Sequence, residues 1–415
     1  MWNVSLLAHT LLFALVSPVF SSGPLHTSGR WILDPNQQRV KLRCVNWAGH
    51  MEVNIPEGLH RQPIDTIAAW IASNNFNCVR LTYSIDMALN PTQSVRDAFT
   101  AAASPAGVRQ AAMQALYTQA VGRNPFLASA TTREVFGRVI DALGSRGVHV
   151  VLDNHVSRAS WCCGLTDGNG WWDQASGYNA ENSRYFDTNK WLAGLSAMAS
   201  FARSHPAVVG MALRNELRTS QQQVPGEDSA WRRFVTQGAS AVHAANNDLL
   251  IVIGGVGYAT DLRTLYSNPL DTSPWDGANR TVWEFHAYSW SFSNSGSCSV
   301  ASTRYGDYAG FLLAQNRPYT GPLWLSEFGV GMTGGPSANQ GLSNADYNYL
   351  RCLVQYLEGN DAEWAVWALQ GSYYVRNQVV DYDESFGLLT RDWSAWRNPA
   401  FPGMLGGMWR VTQGP

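Results

Sequence analysis

Eight short apolar runs, most closing on polar residues and set apart by longer segments, constrain this chain more than any other feature. They span 42–47, 77–83, 148–155, 208–216, 249–255, 282–288, 323–329 and 364–370. Strands buried on both faces read as near-continuous apolar runs of this kind. Helical spacing fills the gaps. After Pro63 it brings Ile64, Ile67, Ala68 and Ile71 onto one face, and helices are also expected over 131–145, 191–201, 229–245, 305–316 and 345–358. Connections this long are crossovers between parallel strands, not hairpins. Eight such units predict an α/β fold, a (β/α)8 TIM barrel with enlarged loops on the face formed by the strands' C-terminal ends. A doubly wound sheet is the competing arrangement. A small hairpin over 31–42 precedes the first barrel strand. The irregular, Ala-rich stretch 84–130, with a helix near 108–120, is long enough to cover part of one face.

Charge and aromatic content narrow the partner. Only 14% of residues are charged and the formal net charge is -2, so there is no broad basic field for nucleic acid or an anionic membrane. Eighteen tryptophans suit a neutral ligand with C–H faces to stack and hydroxyls to hydrogen-bond, which describes a sugar. Residues 1–22 read as a cleaved signal peptide: Leu6 to Phe20 is mostly apolar, and Ser21-Ser22-Gly23 supplies small residues. An anchoring helix is the alternative reading; no later run is long enough to cross a bilayer without polar interruption. Residues 23–415 then form a single catalytic domain, secreted, extracellular and monomeric. All six cysteines follow the cut, and export allows three bridges in any of about 15 pairings. The adjacent Cys162 and Cys163 are expected to bond to distant partners. Asn279-Arg280-Thr281 is a glycosylation sequon; Asn3 lies in the segment to be removed.

In a barrel, the residues that close the strands converge on one mouth. In chain order these are Arg80, His155, Asn215 with Glu216, His286 with Tyr288, Glu327 and Trp367. Two are carboxylates on the fourth and seventh strands, placed to face each other. Such a pair suits cleavage of an acetal with retention, at a separation of about 5 to 5.5 Å. Arg80 and Tyr288 are expected to hold Glu327 ionised as the nucleophile. Glu216 is then the acid/base. Asn215 is assigned to the sugar 2-hydroxyl, the two histidines to orientation, and Trp367 to stacking. Strict alternation puts Glu284 on the same side as His286, as a supporting residue. Asp153 and His155 form a D-x-H pair with no third ligand nearby, so neither metal nor cofactor is implied.

These segments resemble glycoside hydrolase family 5, the cellulase-like group of retaining (β/α)8 hydrolases. The likeness is carried by "NCVRLTYS", "VVLDNHVS", "GMALRNEL", "VWEFHAYSW", "PLWLSEFG" and "AVWALQGSYY", running from about Val40 to Pro399. The late stretch "DYDESFGLLTRDW" also looks like secreted fungal members. The resemblance implies double displacement on a β-linked neutral glycan, with Glu216 as acid/base and Glu327 as nucleophile. Endo action is favoured; exo cleavage, transglycosylation or a non-catalytic sugar-binding barrel are the alternatives. The family's Asn-Glu-Pro is here Asn215-Glu216-Leu217, followed by Arg218, which puts the loop beside the acid/base in question. The insertion at 84–130 and the "WCCGLTDGNGWW" loop are candidates to close the cleft or to build subsites around Trp161, Trp171 and Trp172.

Overall fold

Parallel pairing of the eight apolar runs closes a barrel. The structure is a computed structural model and describes residues 23–220, 224–275, 279–291 and 297–415. A short antiparallel hairpin, β1 (His26–Ser28) and β2 (Trp31–Leu33), comes first. The barrel strands are β3 (Arg43–Trp47), β4 (Cys78–Ser84), β5 (His149–Val156), β6 (Val208–Ala212), β7 (Leu250–Gly254), β8 (Thr281–His286), β9 (Leu323–Phe328) and β10 (Glu363–Val366), with β10 pairing back onto β3. A second hairpin, β11 (Ser372–Arg376) and β12 (Val379–Asp383), follows the last strand.

Helices cover the outside, and their starts are written in the sequence. Thr131 and Glu134 form a reciprocal capping box ahead of helix Thr132–Gly144, and Ser343 caps Asn344–Asn360. Two clusters of apolar side chains divide along the alternation of each strand. Val79, Leu81, Val150 and Leu152 pack outward with the helices. Cys44, Cys78, Val151, Val252, Val282, Trp324 and Ala365 fill the interior with Leu25 and Ile32, so the first hairpin plugs the N-terminal end.

Several expectations shift. The hairpin expected over 31–42 forms, with Leu33 opposite Arg39 and Val40 N–H donating to Ile32 O at 2.9 Å, and Trp31–Leu33 pairs in addition with His26–Ser28 across a turn at Gly29, which adopts a left-handed φ of +54°. Helix 305–316 is displaced to Cys298–Tyr308, followed by a 3-10 turn, where Cys298 is bonded to Cys352 of the next helix. Residues 84–130 form helices Ile85–Leu89, Val95–Ala102 and Gln110–Arg123. This stretch packs along the barrel's flank, with Phe99 edge-on to Tyr374, and among the described residues none of it lines the cleft. Cys162 and Cys163 are bonded to each other. The distant partners expected for them are consumed elsewhere: Cys44–Cys78 joins register partners on neighbouring strands, and Cys298–Cys352 joins two helices. Residues 1–22, which contain the proposed signal and Asn3, lie outside the described residues. Among the described residues no helix is long and apolar enough to cross a membrane.

Candidate active site

The mouth is built on Arg80, which β4 points into the barrel and buries completely. Its Nη1 donates to Glu327 Oε1 at 2.7 Å and to Asn46 Oδ1 at 3.1 Å. Its Nη2 donates to Asn215 Oδ1 at 2.9 Å and Glu284 Oε1 at 3.0 Å, and stands 3.0 Å from Asp153 Oδ1. Burial works against the guanidinium charge, but Asp153, Glu284 and Glu327 outweigh it and raise its pKa. One cation on β4 thus gathers groups from four other strands and the loop after β6.

Glu327 reaches this cluster through an irregularity. Leu323 and Leu325 of β9 face the helices, and strict alternation would send residue 327 the same way. The register against β8 instead slips by one, from Phe285↔Leu325 to His286↔Glu327, which turns Glu327 into the mouth. There Tyr288 donates its hydroxyl to Glu327 Oε2 at 3.0 Å. Burial pushes the Glu327 carboxyl up, against the pull of His286 and Arg80. Its charge partners are those expected from the sequence, but their stabilisation does not cancel the cost of burial.

Glu216 is not the end of a strand. β6 stops at Ala212, and Glu216 sits in the following loop with a left-handed φ of +42°, uncommon for a residue with a side chain. Arg218 holds it there: Nη1 donates to Glu216 O at 2.8 Å, Nε to Gly164 O at 3.0 Å and Nη2 to Asp167 Oδ2 at 2.5 Å. A buried arginine, one residue past the leucine that stands in place of the Asn-Glu-Pro proline, therefore fixes the loop.

His286 joins the two carboxylates. Its Nδ1 lies 2.9 Å from Glu216 Oε1 and 3.7 Å from Glu327 Oε2. One oxygen of each carboxylate and a His286 ring nitrogen all lie within 4.8 Å of one another. Burial disfavours the imidazolium, yet Glu327, Glu216 and Glu284 raise it to about 10. His286 Nδ1 thus stands between the two carboxylates, closer to Glu216 than to Glu327. Glu284 occupies the supporting position expected of it. Burial would raise its carboxyl, but Arg80 and His286 hold it down at about 2. Asp153 goes the other way, to about 7, because burial exceeds the pull of Arg80.

His155 is the neutral histidine. Burial, then Arg80 and His286, hold its pKa well below the ordinary value. Its Nδ1 donates to Asp153 Oδ2 at 2.6 Å and its Nε2 faces Asn215 Nδ2 at 3.3 Å, so the D-x-H pair is bonded internally. Trp367 stacks on His155 with ring centroids 5.5 Å apart, and Trp161 stands edge-on to Trp367. These residues border a cavity of about 930 Å³ whose walls include His155, Trp161, Asn215, Glu216, Glu327 and Trp367.

Trp171 and Trp172 are corrected. Both are fully buried, packed on each other and, through Trp172, on Phe186, Trp191 and Phe234. They anchor the loop from behind and do not line the cavity. Sequence reasoning missed Asn46, His50, Tyr258 and Trp290. His50 packs on His155 with centroids 3.9 Å apart, and Asn46 could have been found from its inward position on β3, two residues beyond Cys44. Tyr258 and Trp290 line the cavity from loops, where no periodicity marks them.

The family model described as cellulase (glycosyl hydrolase family 5) matches residues 33–372. A "Glycosyl hydrolase 5 family protein" of Chamaecyparis obtusa is 37% identical over 98% of this chain and 69% of its own length. An "Endoglucanase" of Paenibacillus polymyxa is 21% identical over 91% of this chain and 85% of its own. Among solved structures, the catalytic domain of the major endoglucanase from Xanthomonas campestris pv. campestris aligns with a TM-score of 0.69 at 20% identity, covering 93% of this chain and 99% of that one. An endocellulase from Pyrococcus horikoshii aligns with a TM-score of 0.70 at 15% identity, covering 93% and 98%. At these identities the structural likeness speaks for the fold.

Proposed function

The chain belongs to glycosyl hydrolase family 5, and from that premise we propose that it is a retaining endo-β-glycanase acting on a neutral polysaccharide, with Glu327 as nucleophile and Glu216 as acid/base. The observation that carries this reading is the carboxylate pair, one oxygen of each within 4.8 Å across the mouth. So close an approach supports the short carboxyl separation of retaining pairs, about 5 to 5.5 Å, over the about 6.5 to 9.5 Å of inverting ones.

In the first step Glu216 gives its proton to the leaving glycosidic oxygen while a Glu327 oxygen attacks the anomeric carbon, forming a glycosyl ester with inversion. In the second, Glu216 takes a proton from water, which attacks the same carbon, releases Glu327 and restores the configuration. Arg80 and Tyr288 hold one Glu327 oxygen each, so the carboxylate is aimed before substrate arrives. Asn215 is the group for the sugar 2-hydroxyl, with His155 fixing its amide and Trp367 and Trp161 giving rings to stack on. A cavity of about 930 Å³ is at the upper end of ligand-site volumes, which supports internal cleavage of a chain.

Export fits three disulfides, and an exposed Asn279 fits glycosylation. The proposal therefore includes removal of residues 1–22 and a secreted monomer of the kind the fungal-like late stretch suggests.

Product analysis over a panel of β-glycans, with the first-formed anomer followed by NMR, tests the reading. Internal cleavage with retention is expected, and a first product of inverted configuration overturns it. Glu327→Gln is expected to lower kcat by about 10⁴-fold or more while leaving glycan binding intact. Turnover persisting in that variant refutes the nucleophile.

A further inference from the structure

The loop after β5 brings a second kind of surface to the cleft. The bonded pair Cys162 and Cys163 lines the cavity beside Trp161 and His155. Asn215 Nδ2 lies 3.4 Å from Cys163 Sγ and 3.7 Å from Cys162 Sγ. The same two sulfurs and a Glu216 carboxylate oxygen all lie within 4.8 Å of one another.

Cross-linking alone does not account for this pair. The other two bridges close 34 and 54 residues of chain, whereas this one joins neighbours in sequence and removes little entropy from the unfolded state. Its position is nonetheless held from both sides. Trp161 is clamped between the Arg376 guanidinium and the edges of Trp367 and Tyr373. Gly164 O accepts from Arg218, which also holds Glu216 O. The pair and Glu216 are thus tied to one another through a single arginine.

The Asn215 amide shows what the sulfurs do. Its Oδ1 is taken by Arg80, and one side of its Nδ2 faces His155 Nε2. The remaining N–H rests against sulfur, a weak acceptor that a sugar oxygen outcompetes. Sulfur is also soft and polarizable, suited to contact with C–H groups.

Building on the glycosidase reading above, we propose that the Cys162–Cys163 disulfide is a substrate-contacting wall of the cleft. Its sulfur face packs on the sugar bound beside Glu216 and keeps the Asn215 amide turned toward that sugar's hydroxyl. Reduction by a phosphine removes the wall. The sulfur–sulfur bond breaks, the two thiols gain two electrons and two protons, and the phosphine becomes its oxide with oxygen from water.

The test uses the whole enzyme, a soluble β-glycan that it cleaves, and the variant C162A/C163A. We expect kcat/KM to fall about tenfold, the equivalent of about 1.4 kcal/mol, with the thermal midpoint unchanged. Phosphine should lower the parent by the same factor, as thiol labelling located by mass spectrometry appears at Cys162 and Cys163, and should leave the variant unaffected. Asn215→Ala should cost at least about twofold less in the C162A/C163A background than in the parent, since the amide has already lost its support.

A variant within twofold of the parent overturns the proposal. So does phosphine sensitivity equal in both, which places the loss in the other bridges, or a loss that tracks a lowered thermal midpoint, which makes the pair a staple. Equal turnover by the parent and its Glu327→Gln variant would instead refute the glycosidase reading, and the wall with it.

Discussion

The two ends of the barrel bury charge in opposite ways. At the N-terminal end Arg39 and Lys41 pair with Asp361 and Glu363, and Arg30 lies close enough to feel both carboxylates. Asp361 also accepts the backbone N–H groups of Thr412 and Gln413 at 2.8 Å each, and Lys41 donates to Arg410 O, which ties down the end of the chain. At the C-terminal mouth Arg80 and His286 face Asp153, Glu216, Glu284 and Glu327. Arg214 is buried nearby, but its bonds go to the neutral Asn154 Oδ1 and Asn169 O. A cluster in which every carboxylate has a cation fixes structure. An acid-rich one pulls its carboxyls in opposite directions, Asp153 pushed up where burial wins and Glu284 held down where Arg80 and His286 outweigh burial, and perturbation of this kind gathers at functional sites.

The largest expected effect breaks one cation at each end. Arg80→Met and Lys41→Met should each cost about 3 kcal/mol of stability, since either leaves buried carboxylates short of a partner. Only Arg80→Met should abolish turnover, by about 10³-fold or more, when both are assayed below their denaturation midpoints, because, of these two cations, it is Arg80 that touches the attacking carboxylate. Denaturant curves beside kcat measurements decide it. Substantial activity in Arg80→Met, or its loss in folded Lys41→Met, would erase the distinction between the ends.

The same contrast explains what could be read from the sequence. The strands were legible because burial on both faces writes them as apolar runs, and the polar residues that close most of them then mark the mouth. Arg80, His155, Asn215, Glu216, His286, Tyr288, Glu327 and Trp367 all come together there. What alternation cannot carry is a register slip, so the turn of Glu327 into the mouth is invisible before β8 and β9 are paired. Nor does composition say which ring of a loop faces out. Trp161 and Trp172 lie in one Gly- and Trp-rich segment, yet the first borders the cavity and the second is core. The Cys162–Cys163 bond was missed for a similar reason: sequence spacing discourages it, and only the consumption of the other four cysteines leaves it as the remaining pairing.

Acid should separate the ends next. Glu327 must be ionised to attack, and burial raises its carboxyl against His286 and Arg80. Turnover should therefore fall away, as pH drops through that raised value, above the ordinary glutamate range of about 4.3. Asp361 behaves oppositely. Burial would raise it, but Lys41 and the Thr412 and Gln413 N–H groups pull it below its ordinary value. Its contribution to folding is present above the unfolded carboxyl's pKa and is lost only as pH falls through the lowered folded one. On acidification activity should fail before the fold does, which a profile of kcat/KM against far-UV ellipticity measures. Coincident loss of the two would put the acid limb down to unfolding.

The smallest effect belongs to the rim, where two exposed aromatic rings make a sharper version of the same comparison. Trp290 is 67% exposed, stacks on Tyr288 with centroids 4.7 Å apart, and lines the cavity. Tyr266 is 63% exposed and stacks on Tyr319, but is not among the residues lining the cavity. Exposure alone would make both rings dispensable, so the difference rests on what each ring leans against. Tyr288 holds Glu327 Oε2, and a sugar lying on Trp290 is therefore registered to the nucleophile through one stacked pair. Trp290→Ala should raise KM for a long glycan about threefold to tenfold, the worth of one aromatic platform, with kcat and the thermal midpoint nearly unchanged. Tyr266→Ala should change none of the three. Equal effects of the two substitutions would mean that exposed rings bind glycan wherever they stand, and that stacking on Tyr288 confers nothing.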